Sequence, residues 1–534
     1  MSNTNESLLW FVPEGLTVAE QRVAARAAKG RKLFVFLRDC QRALFDEAFQ
    51  QELLGMYRQT GAGKPPVAPA RMAMVTLLQA YTGVGDQEAV ELTVDSKRWQ
   101  LVLGCLGGDE ALFAQSTLYD FRMRLLSSGL YVRLLERTVE LARERGGFNA
   151  RSLRAALDSS PLWGHGRVED TVNLLGHAGR QVLACVAQLS QQTVAEVIAA
   201  MGLTLFEAPS LKAALDVDWD DPQQKHQALE RLCEELDALQ DWRLTHLPEA
   251  REQPPLSAAL ATLQRLLDQD LEPDPNGGRR LKEGVAPDRQ ISITDPEMRH
   301  GRKSAKRRID GYKRHILRDL DEQLILAADV RPANEPEHHA LEPMLIASEL
   351  QDRQLSELHI DRGYLGSEWI AWLDARETPL VCKPWPAQAV KGHFSKRDFQ
   401  LDLERLQATC PAGVSVPIRP GTVTHFPAVR CQSCAWRERC TDAATGRSLT
   451  IHPQEDLLQR LAVLPTSAEG RQRLRERVGV EHSLAHVAQR QGNHARYDGV
   501  VKNRLHLHLV CAIQNLERAQ AFTAQKQADL PQAA

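Results

Sequence analysis

Apolar residues recur at three- and four-residue steps through the first part of the chain, and this spacing predicts helices. Leu33, Phe36, Leu37, Leu44, Phe45, Phe49, Leu53 and Leu54 fall mostly at those steps, and GAGKPPVAP, Gly61 to Pro69, breaks the run. A second helix is expected over Ala70 to Tyr81, ending at Gly83. TGVGDQEAVELTVDSKRWQLVLG predicts another with Asp86 as its cap. QSTLYDFRMRLL predicts one capped by Ser116 or Thr117, carrying Arg122 and Arg124. The helical pattern closes at Arg145-Gly146-Gly147.

Beyond those glycines the period changes. Leu153, Ala155 and Leu157 alternate, which predicts a strand ending at Asp158 and followed by a Ser-Ser-Pro turn. Val182 to Leu271 returns to a helical pattern, and PDPNGG, Pro273 to Gly278, reads as a linker. From Gln290 strands are expected again. ISITDP is one, and a basic loop follows it. DGYKRHILRDL and QLILAADV then form a hairpin around Asp319 and Asp321. Glu337 to Asp352 is expected to be helical. In LSELHIDRGYLGSE, Leu355, Leu358 and Ile360 mark a short strand that opens into a turn at Asp361. A helix over Trp369 to Arg376 and a strand over Thr378 to Cys382 complete an order that belongs to an α/β sheet.

A last helix is expected from Ala468 to Arg490, on which Leu474, Val478, Glu481 and Ala485 share a face. Glu481 then lies on an apolar stripe, where a carboxylate needs a partner, a metal or a proton. Arg477, one turn back, can supply an ion pair. Asp158 and Asp361 each have the plainer role of starting a turn. Taken together, two acids at strand ends and one on a later helix let oxygen ligands meet at one sheet edge. That donor set suits magnesium, and two such ions sharing a carboxylate serve phosphodiester chemistry. His482 and His486 lie one turn apart without a third ligand and read as surface residues.

Length and charge refine this picture. A chain of 534 residues accommodates two to four structural units. It has no apolar run of membrane-spanning length, and its N-terminus lacks the layout of a signal peptide, so a cytoplasmic protein is expected. The net charge of -3 is unevenly spread: RHGRKSAKRRIDGYKR, Arg299 to Arg314, packs eight Lys or Arg around one Asp, and RQRLRER follows at Arg471. Such patches on a near-neutral whole suit a protein that grips a polyanion at defined places, here the DNA backbone. Of ten cysteines, six are scattered and four cluster: Cys410, Cys431, Cys434 and Cys440. Four thiolates would close a structural zinc site; incidental thiols, or His425 or His452 replacing one ligand, remain alternatives.

The chain resembles bacterial insertion-sequence transposases of the DDE class, in the branch with an InsH-type helical N-terminal domain and a cysteine-bearing insertion before the catalytic Glu. The resemblance rests on the order of KPPVAPARMAMVTLLQAYTGVGDQEAVE, STLYDFRMRL, LDSSPLWGHGRVEDTVNLLG, GRKSAKRRIDGYKRHI, HIDRGYLGSE, TCPAG with CQSCAWRERC, RVGVEHSLAH, ARYDGVVKNRLHLH and AIQNLER. It implies an α/β fold with a ribonuclease-H-like mixed-sheet core and an all-α DNA-binding domain over residues 1–148. The catalytic domain would span 149–520, with a helical insertion at about 180–275, a cysteine-rich insertion at about 385–452 and a tail at 521–534. It also implies Asp158, Asp361 and Glu481 as catalytic residues holding Mg2+ or Mn2+, two ions in all. Arg302, Lys303, Lys306, Arg307, Arg308, Lys313, Arg314, Arg477, Arg490, Arg496 and Lys502 would contact DNA. The implied activity is cleavage at element ends to free a 3′-hydroxyl, then strand transfer into target DNA by a homodimer or larger assembly near the nucleoid. An inactive DNA-binding remnant and a nuclease without strand transfer are the alternatives. Where related transposases place a Tyr and a Lys around the Glu helix, this chain has Leu474 and Ala488.

Overall fold

The computed structural model describes residues 8–57, 65–148, 152–250, 252–303, 306–349, 354–386 and 389–528. Part of GAGKPPVAP and the end of the helix expected to reach Asp352 lie outside them. Six strands form the central sheet: β1 (Ser152–Trp163), β2 (Arg299–Arg302), β3 (Arg308–Asp319), β4 (Ile325–Pro332), β5 (Gln354–Ile360) and β6 (Leu380–Val381). β3 runs antiparallel to β1, and its far edge pairs with β2 and then β4. On the other side of β1, β5 and β6 follow in parallel. The expected hairpin is β3 and β4, and its turn is held by Asp319, whose carboxylate accepts from the Glu322 and Gln323 amides.

Three strand expectations are corrected. β1 does not end at Asp158 but runs on to Trp163, because Ser159 to Trp163 keep their partners on β3 after β5 has stopped at Ile360. Pro161 is tolerated where one edge of β1 has lost its neighbour. ISITDP forms no strand; its polar groups are met by side chains, with Glu169 accepting from the Ile293 amide at 2.9 Å and Asp295 accepting from the Tyr312 hydroxyl. The strand lies instead at Arg299–Arg302, which was expected to be basic loop. PDPNGG is the turn of a small hairpin between Leu271–Pro273 and Arg279–Leu281, not a linker.

The N-terminal helices follow the expected period with local differences. The run from Leu33 to Leu54 divides into Lys32–Leu44 and Glu47–Leu54, the second capped by Asp46 on the Phe49 amide at 2.8 Å. Pro69–Thr82 stops at Gly83, whose φ of 77° is easy only for glycine. Asp86 is not a cap but opens its helix behind Gly85 and pairs with Arg122; SKRWQLVLG forms its own helix behind Ser96. Gln115–Ser128 begins before Ser116, with Ala114 at the cap.

Among the described residues, three apolar clusters organise the interior. The largest runs without a break from the N-terminal helices through the sheet to the terminal helix Val500–Ala528. A second gathers helices between Thr171 and Asp270, and a third is a small cluster around Phe399, Phe426 and Ile451. No single described helix is long and apolar enough to cross a membrane.

Asn515 joins the parts of the first cluster. Fully buried on the terminal helix, its amide group bonds both the N–H and C=O of Ile325 on β4, each at 2.8 Å, and donates to Thr138 Oγ1 at 3.1 Å. Asn515→Ala leaves those groups buried and unpaired, so we expect a loss of about 2–4 kcal/mol in urea unfolding. A change under about 0.5 kcal/mol would contradict this account of the junction.

Candidate active site

Parallel pairing sets Leu157 beside Ile360, so the next residues on the two strands, Asp158 and Asp361, stand side by side. As the sequence suggested, Asp361 closes its strand, accepting from the Arg362 amide at 2.8 Å as a short 3-10 turn begins. The helix expected over Ala468 to Arg490 is two helices, Ala468–Glu476 and Val478–Gln491, joined at Arg477. The buried face of the second is Val480, Ser483, Leu484, Val487 and Gln491. Glu481 is therefore not on an apolar stripe. It is about half exposed and lines an open cleft of about 800 Å³ together with Asp158, Asp361 and Arg477.

Two fastenings bring Glu481 to the sheet. At the tip of β1, the Trp163 amide donates to Asn493 O at 2.9 Å and the Ala495 amide donates to Trp163 O at 2.6 Å, just past the end of the Glu481 helix. Arg314, almost wholly buried on β3, donates to Ser160 Oγ and Pro161 O on β1 and to Gln491 Oε1 and Gly492 O at that helix end. At the other end of the helix, Gly479 leaves room for the Arg318 guanidinium, which a Cβ there would meet at 2.2 Å.

Arg477 is the electrostatic centre of the cleft. Its guanidinium donates to Asp158 Oδ2 at 2.5 Å and to Glu481 Oε1 at 2.7 Å, so the one-turn ion pair is present and Arg477 bridges the two acids. Burial works against its charge, but Asp158, Asp361 and Glu481 outweigh it and raise its pKa. Burial pushes Asp158 up to about 6; Asp361 and Glu481 add to that, against Arg477 and the Ser159 amide.

Sequence reasoning missed Glu337. It lines the same cleft, accepts from Ser159 Oγ at 2.6 Å, and sits against Gly363, where any Cβ would meet its carboxylate at 2.1 Å. The side-chain-free position in Asp-Arg-Gly was the available signal, but a turn glycine is too common to single out.

The basic residues divide. Arg302, Lys303, Arg307, Lys313 and Arg314 line the cleft with the acids. The first two are exposed, whereas Arg314 spends its donors inside the protein. Arg308 and Lys306 are exposed, with Arg308 lining a neighbouring hollow beside His300 and Lys282. Arg490 pairs with Glu517, Arg496 donates to Val84 O, and Lys502 pairs with Asp498; these three do not line the cleft.

Two further clusters hold metal-type ligands. Glu357, His359 and Glu476 have ligand atoms within 4.8 Å of one another. Arg473 and Arg154 already hold Glu357, and Arg154 holds Glu476, making an ion-pair knot between β1, β5 and the Ala468–Glu476 helix. Elsewhere the four clustered cysteines line one small cavity, which neither His425 nor His452 enters.

The mixed sheet and the helix after it thus bring carboxylates and cationic side chains into one cleft. In comparison with protein families, residues 409–520 match the Transposase DDE domain, and residues 25–124 match the Transposase domain (DUF772). These matches support an insertion-sequence DDE transposase and a transposase role; they do not distinguish the InsH-type branch. The first match spans Glu481 and all four clustered cysteines. No curated protein and no solved structure matched the chain.

The raised Asp158 pKa has a testable consequence. Between 3.8 and about 6 the folded chain keeps a proton on Asp158 that the unfolded chain has released. This contribution to stability is largest below that window and falls as pH rises through it, by roughly 2–3 kcal/mol. In metal-free buffer, Asp158→Asn should therefore gain melting temperature relative to wild type between pH 4 and pH 7. An unchanged difference would contradict the burial assignment.

Proposed function

We propose that this protein is an insertion-sequence DNA transposase whose Asp158, Asp361 and Glu481 are its catalytic carboxylates. The observation that carries the reading is the shared cleft: three acids from β1, the end of β5 and a later helix open onto one space with Arg302, Lys303 and Lys313. The strand order, with β3 antiparallel to β1 on one side and β5 and β6 parallel on the other, supports a ribonuclease-H-like core.

The residues fit hard divalent cations. The donors are carboxylate oxygens, and the repulsion that helps raise Asp158 is what a cation relieves. Mg2+ or Mn2+, two ions in all, would be held by Asp158, Asp361 and Glu481, and supplies charge neutralisation for in-line phosphoryl transfer. Arg477 keeps the acids together in its absence and can turn to a DNA phosphate when the acids are otherwise engaged. Glu337 orients Ser159 beside Asp158, and its charge favours the protonated form of Lys313 against the burial that opposes it. Arg302 and Lys303, exposed at the cleft mouth, hold the backbone of the DNA end. In the first step water attacks the phosphorus at the element end and the 3′-oxygen leaves as a hydroxyl. In the second, that hydroxyl attacks a target phosphodiester and displaces its 3′-oxygen. No side chain becomes covalently attached. Two ends joined at one target call for at least two copies of the chain, assembled on double-stranded DNA at the terminal inverted repeats, in a cytoplasmic and nucleoid-associated setting.

Incubation of the purified protein with Mg2+ and labelled element ends tests this reading. Joined products are expected; cleavage alone would replace it with a nuclease, and binding alone with an inactive remnant. Asp361→Ala should lower cleavage at least about 100-fold while DNA binding is kept. Lys303→Ala should instead weaken binding across sequences and reduce the salt dependence by about one phosphate contact. Normal cleavage by Asp361→Ala would overturn the assignment.

A further inference from the structure

The segment from Phe394 to Ile451 folds around very little. Its strands, Gln400–Asp402, Gln407–Thr409, Ser415–Pro417, Val423–His425 and Ser448–Thr450, are three residues each and make two separate small sheets. Its buried apolar side chains are Phe399, Ala408, Val416, Ile418, Phe426, Leu449 and Ile451. So few cannot offset the entropy of ordering the segment, and natural units of this size are usually stapled.

The staple's components lie beside that core. Cys410, Cys431, Cys434 and Cys440 all line one cavity of about 30 Å³, room for a single small ion, although their sulfurs are not gathered within 4.8 Å of one another as the Glu357 cluster is. Cys410 sits on a tight turn, with Gly413 at φ 80° and the Val414 amide donating to its Sγ at 3.3 Å. The Trp436 amide donates to Cys434 Sγ at 3.4 Å. Cys431 Sγ packs so closely on Gly446 that a Cβ there would meet it at 3.3 Å. Arg430, Arg437 and Arg447 line the same cavity. Arg447 also ties Cys440 O and Phe394 O together, at 2.9 Å each. A dication with four thiolates carries a net charge of minus two, and these arginines compensate it.

We propose that Cys410, Cys431, Cys434 and Cys440 hold one zinc ion in a closed four-thiolate site that staples the Phe394–Ile451 unit. Sulfur donors select zinc over the hard cations suited to the carboxylate cleft, and four protein ligands leave no position for substrate, so the site is structural. Zinc draws the sulfurs to bonds of about 2.3 Å and displaces their remaining protons to solvent. The inference does not rest on the transposase reading, since it requires only these thiols and their surroundings.

The test uses the full chain, purified under reducing conditions without chelator. Metal analysis should find about one zinc per chain. Exchange for Co2+ should give thiolate-to-cobalt absorption in the near ultraviolet with the visible bands of a tetrahedral site. Cys431→Ser and Cys434→Ser should each lose the metal, while Cys105→Ser keeps it. Because the first two variants can fail to fold, the cobalt spectrum of the unaltered chain decides independently of them. Less than about 0.1 zinc per chain, a cobalt complex without thiolate bands, or a native disulfide among the four cysteines would overturn the proposal.

Discussion

Carboxylates gathered in one cleft repel one another, and the Arg477 guanidinium offsets that repulsion among Asp158, Asp361 and Glu481. Its two outer nitrogens reach Asp158 on the sheet and Glu481 on the helix. The position at the join of two helices makes this reach possible, because the chain there brings the guanidinium toward β1 while the following helix turns Glu481 to the same side. Repulsion persists even so: Asp158 stays above the ordinary carboxylate range, chiefly through burial, with Asp361 and Glu481 contributing. A site held in this way is prepared for positive charge.

That balance depends on a rigid frame. β1 carries Asp158 in its middle and then continues to Trp163, where its backbone grips the residues after the Glu481 helix. Arg314 bridges the same two elements from beneath, with four bonds that leave it little to offer DNA. The knot of Arg154, Glu357, Arg473 and Glu476 ties the preceding helix to β1 and β5. Both ends of the segment that bears Arg477 and Glu481 are thus anchored to the strands that bear the aspartates.

Period alone made the helices, the β3–β4 hairpin and the strand before Asp361 legible, since each buries one regular face. The length of β1 was not, because Ser159 to Trp163 look like a turn until β3 is known to lie beside them. ISITDP has the alternation of a strand, but its polar groups are satisfied by Glu169 and Tyr312. Glu481 does not share an apolar stripe: its face, with Val478 and Ala485, is exposed, while Val480, Leu484 and Val487 are buried. Arg314 belonged to a basic run in sequence yet is buried, a distinction that charge patterning cannot make. Glu337 carried no local signal, since its role comes from neighbours distant in the chain.

Two places offer carboxylates to a hard cation, the Asp158, Asp361 and Glu481 cleft and the Glu357, His359 and Glu476 knot. Anomalous diffraction from crystals grown with Mn2+ separates them directly. The account places manganese between Asp158 and Asp361, with Arg477 moved off Asp158. A manganese peak at the knot with none in the cleft would contradict it.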